Sequence, residues 1–548
     1  MTISGHVDSF TRDHLPMQEE MPEFRFAQAD LNYPERLNCV AELLDRWVAA
    51  GKGDQPCLIT PSETLTYASL QERVNRMANV LTRDLGLATG NRVLLRGPNN
   101  AMMAAAWLAV IKAGGVTVAT MPLLRARELA YPIRKARIAL ALCDARLGED
   151  LEKAKEQAND LERIVYWGSD RADDLTRLMS KPGYEHFGAA ETAADDVCLI
   201  AFTSGTTGEP KGTMHFHRDM LATCDTYGRN VLRPAASDRF IGSAPLAFTY
   251  GLGGHLLFPM RVGASSILIE RAPPDELFAA VGTYRATICF TAPTAYRAIL
   301  PKLASHDISS LKKCVSAGET LPKATFEAWH KATGLRIMDG LGSTEMLHIF
   351  IGSPAEEMHA GATGRVVPGY EARVVDEAGR ELPPGTVGRL SVRGPTGCRY
   401  LADTRQRKYV EGGWNMPGDT YMMDTAGYFY YQARSDDMII SAGYNIAGPE
   451  VEAALLTHPA VAECGVVGAP DPDRGMIDKA YVVLRPDRAG DAALTKLLQD
   501  YVKEQIAPFK YPRAIEYVTE LPKTPTGKLQ RFELRRMAAA SAGQKLAS

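Results

Sequence analysis

Apolar residues recur three and four positions apart from Leu70 to Leu85, which predicts a helix, and then close into a short apolar run at Arg92–Arg96, which predicts a buried strand. Ala101–Ala113 is apolar on every side and predicts a buried helix that stops at Gly114-Gly115. Val116–Met121 returns as a strand and completes a strand–helix–strand unit. The same rhythm recurs at Val197–Thr203, Ser265–Glu270, Thr287–Thr291 and Lys312–Ser316. Strands alternating with helices predict an α/β fold of mostly parallel sheets covered on both faces. No short repeat or low-complexity tract interrupts the pattern.

The texture changes between Asp403 and Gly427, where Gly, Asp, Tyr and Met replace periodicity. After Arg434 a compact unit follows. Pro449 marks a helix start with Glu450 and Glu452 in its first turn. Val461–Val467 and Ala480–Leu484 read as strands, and Leu494, Leu497, Leu498, Tyr501, Val502 and Ile506 line one helix face. About 110 residues suffice for an independent small domain. The expected division is therefore 1–434 and 435–548.

Composition narrows the class. The 548 residues carry 62 Lys plus Arg against 65 Asp plus Glu, a net charge of −3, so no basic face recommends a nucleic-acid partner. The longest uncharged apolar stretch, Ala101–Ile111, is about half a bilayer span. Met1–Pro16 lacks the apolar run of a signal peptide. The nine cysteines are scattered, with no CxxC and no Cys/His cluster in sequence. A disulfide framework and a zinc ribbon are thus not expected, and buried thiols in a cytoplasmic protein are.

The sharpest chemical signal is Thr203-Ser204-Gly205-Thr206-Thr207-Gly208-Glu209-Pro210-Lys211-Gly212, directly after a strand. Its glycines let backbone amides converge on an anion, its hydroxyls add donors and Lys211 adds a cation. Lys211 follows Gly208 too late for a Walker A loop. Two decoys lie nearby. His217-Arg218-Asp219 mimics a kinase catalytic loop without that family's other elements and reads as a solvated helix start. Gly251-Leu252-Gly253-Gly254 lacks the preceding strand of a dinucleotide fingerprint.

With these residues in view, the Thr203–Gly212 loop resembles the phosphate-loop signature of the adenylate-forming superfamily of acyl-CoA and aryl-CoA ligases, adenylation domains and luciferases. Four further segments match in order: Gly340-Leu341-Gly342-Ser343-Thr344-Glu345, Gly418-Asp419-Thr420, Arg434-Ser435-Asp436-Asp437, and Pro522–Arg531 with Gly527-Lys528. The resemblance implies a large N-terminal domain of parallel-sheet subdomains plus a small barrel-like subdomain, with a small mobile α+β C-terminal domain turning about Asp436. It implies ATP, Mg²⁺ and coenzyme A as co-reactants and an acyl-adenylate on the path.

By the same resemblance, Lys528 bridges carboxylate and phosphate, Glu345 holds Mg²⁺, and Thr344 binds the α-phosphate. Thr203, Ser204, Gly205, Thr206, Thr207, Gly208 and Lys211 hold the outer phosphates. Gly318, Glu319, Gly340, Leu341 and Gly342 surround adenine, and Asp419 and Arg434 the ribose. Gly443 and Tyr444 line the pantetheine tunnel in the second half-reaction. The chain departs from the usual pattern at Leu341, Pro417, Ala433 and Ile440.

Peptide-synthetase domains place an aspartate where this chain has Pro245–Gly251 without an acid, which disfavours a free α-amino acid. Phe248, Tyr250 and Gly251 predict a flat aromatic slot, and His348 resembles the pocket histidine of benzoate-type CoA ligases. The expected substrate is an aromatic acid, first 2-aminobenzoate and next benzoate. A carrier-protein loader, a medium-chain acyl-CoA synthetase, a luciferase-like oxygenase and a non-catalytic nucleotide sensor stand as alternatives. No membrane partner is expected, and a homodimer is compatible with the family resemblance.

Overall fold

The computed structural model describes residues 3–203, 209–434, 437–441, 444–471, 475–486, 488–506, 510–524 and 527–546. Four sheets organise the chain. The largest has nine strands, in the order 365–366, 349–352, 337–342, 313–317, 288–291, 239–242, 265–267, 56–59 and 64–66. Its six central strands, from Ile337–Gly342 across to Pro56–Ile59, run parallel, and antiparallel strands cap both edges. A six-stranded sheet holds Arg92–Arg96, Val116–Thr120 and Val197–Thr203 in parallel and ends on the antiparallel strand Lys211–Phe216.

The helix Ala101–Lys112 lies in the main core, with Trp107 fully buried. Its all-round apolar surface needs that environment, and Asn100 caps it by accepting the Met103 N–H at 2.9 Å. The predicted helix at Leu70–Leu85 begins earlier, at Tyr67, because Thr66 and Ser69 form a capping box. It ends in a π-helical turn, Val80–Asp84.

A six-stranded antiparallel sheet includes Val387–Arg393, Asp419–Met423 and Phe429–Arg434 and takes in part of the Asp403–Gly427 stretch where the texture changes. The C-terminal unit has its own five-stranded sheet and its own apolar clusters. Its long hairpin, Val461–Asp471 with Gly475–Leu484, is covered by Gly448–Leu456, Ala492–Gln505 and Arg531–Leu546. The mixed α/β class, a parallel-sheet N-terminal body and a smaller C-terminal domain match the sequence reading. The expected hinge at Asp436 lies outside the described residues.

All nine cysteines are buried. No helix among the described residues is long and apolar enough to cross a membrane. Trp107 is a fully buried tryptophan of the main core, so Trp107→Ala should cost about 3–5 kcal/mol. A denaturation midpoint unchanged from wild type would contradict that packing role.

Candidate active site

The strands Val197–Thr203 and Lys211–Phe216 form a hairpin in which Thr203 faces Lys211. Ser204, Gly205, Thr206, Thr207 and Gly208, at its tip, lie outside the described residues. Where the hairpin begins to open, Lys211 Nζ donates to the Tyr400 hydroxyl at 2.7 Å, and that hydroxyl donates to Glu345 Oε1 at 2.6 Å. Lys211 Nζ stands 3.5 Å from the same carboxylate oxygen. The ammonium also lies 4.7 Å from the Tyr400 ring centre and 5.9 Å from that of Tyr409. Burial first, and then the Glu345 charge, push the Tyr400 phenol up, so it remains a proton donor to the carboxylate.

Glu345 sits in the turn between strands Ile337–Gly342 and Ile349–Gly352. Leu347 in this turn has φ 71°, a left-handed conformation that a branched residue adopts only under external constraint. The constraint is visible. His215 Nε2 donates to the Thr344 carbonyl and Thr396 Oγ1 to the Met346 carbonyl, each at 2.8 Å. Ser343 Oγ lies 3.2 Å from the Tyr409 hydroxyl and accepts the Met346 N–H. Glycine is required at 340 and 342, where a β-carbon would stand 2.7 Å from Ile349 Cδ1 and 2.8 Å from the His348 backbone. Leu341 is half-buried between them.

Behind His215, the buried Arg399 pairs with the buried Asp219 and donates to the Met214 carbonyl at 3.0 Å. Asp219 also accepts the Phe216 N–H at 2.9 Å. This corrects the reading of His217-Arg218-Asp219: a helix does begin at His217, but both His217 and Asp219 are fully buried rather than solvated. The Arg399 partner of Asp219 and the Cys39 partner of His217 lie 180 and 178 residues away in sequence.

On the opposite side, Gly318 has φ 88°. A β-carbon there would lie 3.5 Å from Lys528 Cε and Nζ, so the exposed Lys528 reaches this backbone from the C-terminal domain. Burial pushes the neighbouring Glu319 carboxyl up, against a Thr294 hydrogen bond and the charges of Lys528 and Arg297. Asp339 is buried, accepts the Ser316 hydroxyl at 2.6 Å and is pushed up to about 7 by burial. Asp419 pairs in register with Arg434 across an antiparallel ladder, after Gly418 at φ 80°.

The aromatic slot is built from the helix Thr249–Leu252 and the 348 turn. Tyr250 donates to the Thr291 and Val315 carbonyls at 3.3 and 3.2 Å. Gly251 lets the helix pass close to Pro245, whose carbonyl oxygen would be 2.1 Å from a β-carbon. Phe248 stands immediately before this helix. His348 is ringed by Tyr227, Tyr250, Phe258 and Phe290 at centroid distances of 5.6, 5.7, 4.6 and 6.4 Å. Burial drives its pKa down to about 3, so the ring is neutral at physiological pH. Neither His348 nitrogen nor the Tyr227 hydroxyl has a hydrogen-bond partner among the described residues.

Lys211, Thr344 and Glu345 therefore meet at one place, Gly318, Glu319 and Lys528 at another, and Tyr250, Gly251 and His348 at a third. Asp436 and Gly443 lie outside the described residues, as do the side chains of Arg434 and Tyr444. Sequence reasoning missed Tyr400, Tyr409, His215, Asp339 and Tyr227, none of which sits in a local pattern that signals its partner.

A lysine–tyrosine–glutamate cluster at the base of a hairpin, and a lysine that reaches Gly318 from a second domain, fit a nucleotide-dependent acid-activating enzyme. The chain belongs to the AMP-binding enzyme family: residues 44–400 match the AMP-binding enzyme model, and 450–528 match the AMP-binding enzyme C-terminal domain. It is 37% identical over 511 residues to a benzoate–CoA ligase of Thauera aromatica, covering 92% of this chain and 97% of the relative. It is 33% identical to a 4-hydroxybenzoate–CoA/benzoate–CoA ligase of Rhodopseudomonas palustris, covering 91% and 94%. Among solved structures, an anthranilate CoA ligase in complex with anthranoyl-AMP superposes with TM-score 0.89 at 35% identity, covering 94% and 100%. A benzoate CoA ligase from Burkholderia xenovorans gives 0.83 at 34%, covering 91% and 100%.

Tyr400→Phe keeps the ring and removes the hydroxyl bridge between Lys211 and Glu345. A hydrogen bond to a charged group contributes about 1.5–3 kcal/mol, so acid-dependent pyrophosphate exchange should fall about 10- to 100-fold. The melting temperature should barely move. Unchanged exchange would reduce Tyr400 to packing.

Proposed function

We propose that the enzyme is an AMP-forming acid–thiol ligase joining an aromatic carboxylate to coenzyme A, with 2-aminobenzoate as the preferred acid and benzoate next. The observation that carries this reading is the convergence of Lys211, Tyr400 and Glu345 at the base of the hairpin, with separate aromatic walls around His348. The relatives named for benzoate, 3-hydroxybenzoate and anthranilate support the aromatic acid.

The chemistry proceeds in two displacements. A carboxylate oxygen attacks the α-phosphorus of ATP, the bond to the β-phosphate oxygen breaks, and pyrophosphate leaves. The thiol sulfur of coenzyme A then attacks the acyl carbon, its proton goes to solvent, and AMP departs with the oxygen that came from the acid. Lys528, beside Gly318, is the cation that offsets repulsion between the acid and the α-phosphate. Thr344 holds that phosphate, and Thr203, residues 204–208 and Lys211 hold the outer ones. Glu345 fits a magnesium site: it is a hard carboxylate, largely buried, and would hold the ion. Bound Mg²⁺ would neutralise phosphate charge there. Asp419 and Arg434 take the ribose, and Gly318, Glu319 and the 340–342 backbone take adenine. Rotation about Asp436 would withdraw Lys528 and bring Gly443 and Tyr444 to the thiol path.

The neutral His348 and the Tyr227 hydroxyl give the slot polar groups able to meet a ring substituent, which favours 2-aminobenzoate over unsubstituted benzoate. Thioester formation across benzoate, 2-aminobenzoate, hydroxybenzoates, phenylacetate and a medium-chain fatty acid tests the assignment. The two leading aromatic acids should exceed the fatty acid in kcat/KM by about 100-fold or more. A leading fatty acid, or adenylation without transfer to coenzyme A, would overturn it.

Lys528→Ala should lower adenylate formation by about 10²–10³-fold and spare thioester formation from supplied acyl-adenylate. Equal loss of both half-reactions would contradict the role given to Lys528.

A further inference from the structure

Three soft donors meet away from the ATP chemistry. Cys39, Cys198 on strand Val197–Thr203 and His217 at the head of helix His217–Thr223 are all fully buried. One donor atom of each lies within 4.8 Å of the other two, the one such group of three among the described residues. His217 Nδ1 is 3.4 Å from Cys39 Sγ. A thiolate sulfur and an imidazole nitrogen on one tetrahedral Zn²⁺ stand about 3.5 Å apart. The same nitrogen accepts the Cys39 backbone N–H at 3.2 Å, a bond that the ion would have to replace.

Two further nitrogens point the same way. His217 Nε2 and His6 Nε2 are buried without a hydrogen-bond partner, and the His6 ring lies within electrostatic reach of His217. His6 belongs to the N-terminal strap, which is held by Ser4 Oγ and Gly5 N–H on Asp196 at 2.5 and 2.8 Å. A dication with two thiolates and a neutral imidazole is electrically balanced, which a fully buried site requires. Cys289 and Cys314, opposite each other on neighbouring strands, form no such three-donor group.

We propose that Cys39, Cys198 and His217 form a binding site for one thiophilic divalent cation of the Zn²⁺ and Cd²⁺ class, with the fourth position left to water. The site is separate from the magnesium position at Glu345, where hard oxygen ligands select a different ion.

Cd²⁺ titrated into the reduced full-length enzyme, in excess Mg²⁺, should give an ultraviolet thiolate-to-cadmium absorption that saturates at one equivalent. Cys39→Ala and Cys198→Ala should each weaken binding at least about tenfold, one broken ligand being of that order. Cys289→Ala should bind as wild type does. Because an ion held by the native state raises the melting temperature, the wild-type transition should shift upward with Cd²⁺ even if a variant folds poorly. Absence of the band, the same band in the Cys39→Ala/Cys198→Ala protein, or a fall in melting temperature would overturn the site.

Discussion

An aryl carboxylate and a triphosphate are both anions, and bringing them into contact is the constraint on which the rest of this molecule depends. Two like charges 4 Å apart repel by about 4 kcal/mol even at the effective dielectric of a protein surface. A net charge of −3 over 548 residues gives no general attraction for either substrate. The few cations that matter must be held in place. Lys211 is held by the Tyr400 hydroxyl and two aromatic rings, and Lys528 is delivered to Gly318 from another domain.

Holding these groups requires a rigid frame. The phosphate hairpin is the edge of one sheet and the Glu345 turn leaves the edge region of another. His215 ties the two together through the Thr344 carbonyl, and the buried Arg399–Asp219 pair stands behind it. The left-handed Leu347 shows that this turn is over-determined by its surroundings. The surroundings of His348 have the opposite property, an apolar wall, and burial keeps this histidine neutral. Charge and apolarity are thus segregated, with Glu345 and His348 three residues apart on one turn.

Most of the fold was legible because its elements are local. Arg92–Arg96 coincides with the strand found, and the buried helix at 101 ends within one residue of the expected stop. Ser265–Glu270 shortens to Ser265–Ile267, since Glu270 turns to the surface to meet Arg146 and Asn100. The sequence offered a candidate phosphate loop through its glycine spacing and following lysine, and the other candidate residues through the family resemblance. What escaped depends on long-range partners. Asp219 looked solvated because Arg399, which buries its charge, lies 180 residues away. Tyr400 carries no sign in its own neighbourhood that it will bridge Lys211 and Glu345. Cys39, Cys198 and His217 have no metal-binding spacing, yet the sheet brings them together.

The central claim is that the acid is activated by its own oxygen attacking the α-phosphorus. Benzoate labelled with ¹⁸O in both carboxylate oxygens, turned over with ATP and coenzyme A, tests this by mass spectrometry of the products. The account predicts one ¹⁸O in each AMP formed and none in pyrophosphate. Label in pyrophosphate or inorganic phosphate, or unlabelled AMP accompanying thioester, would contradict it.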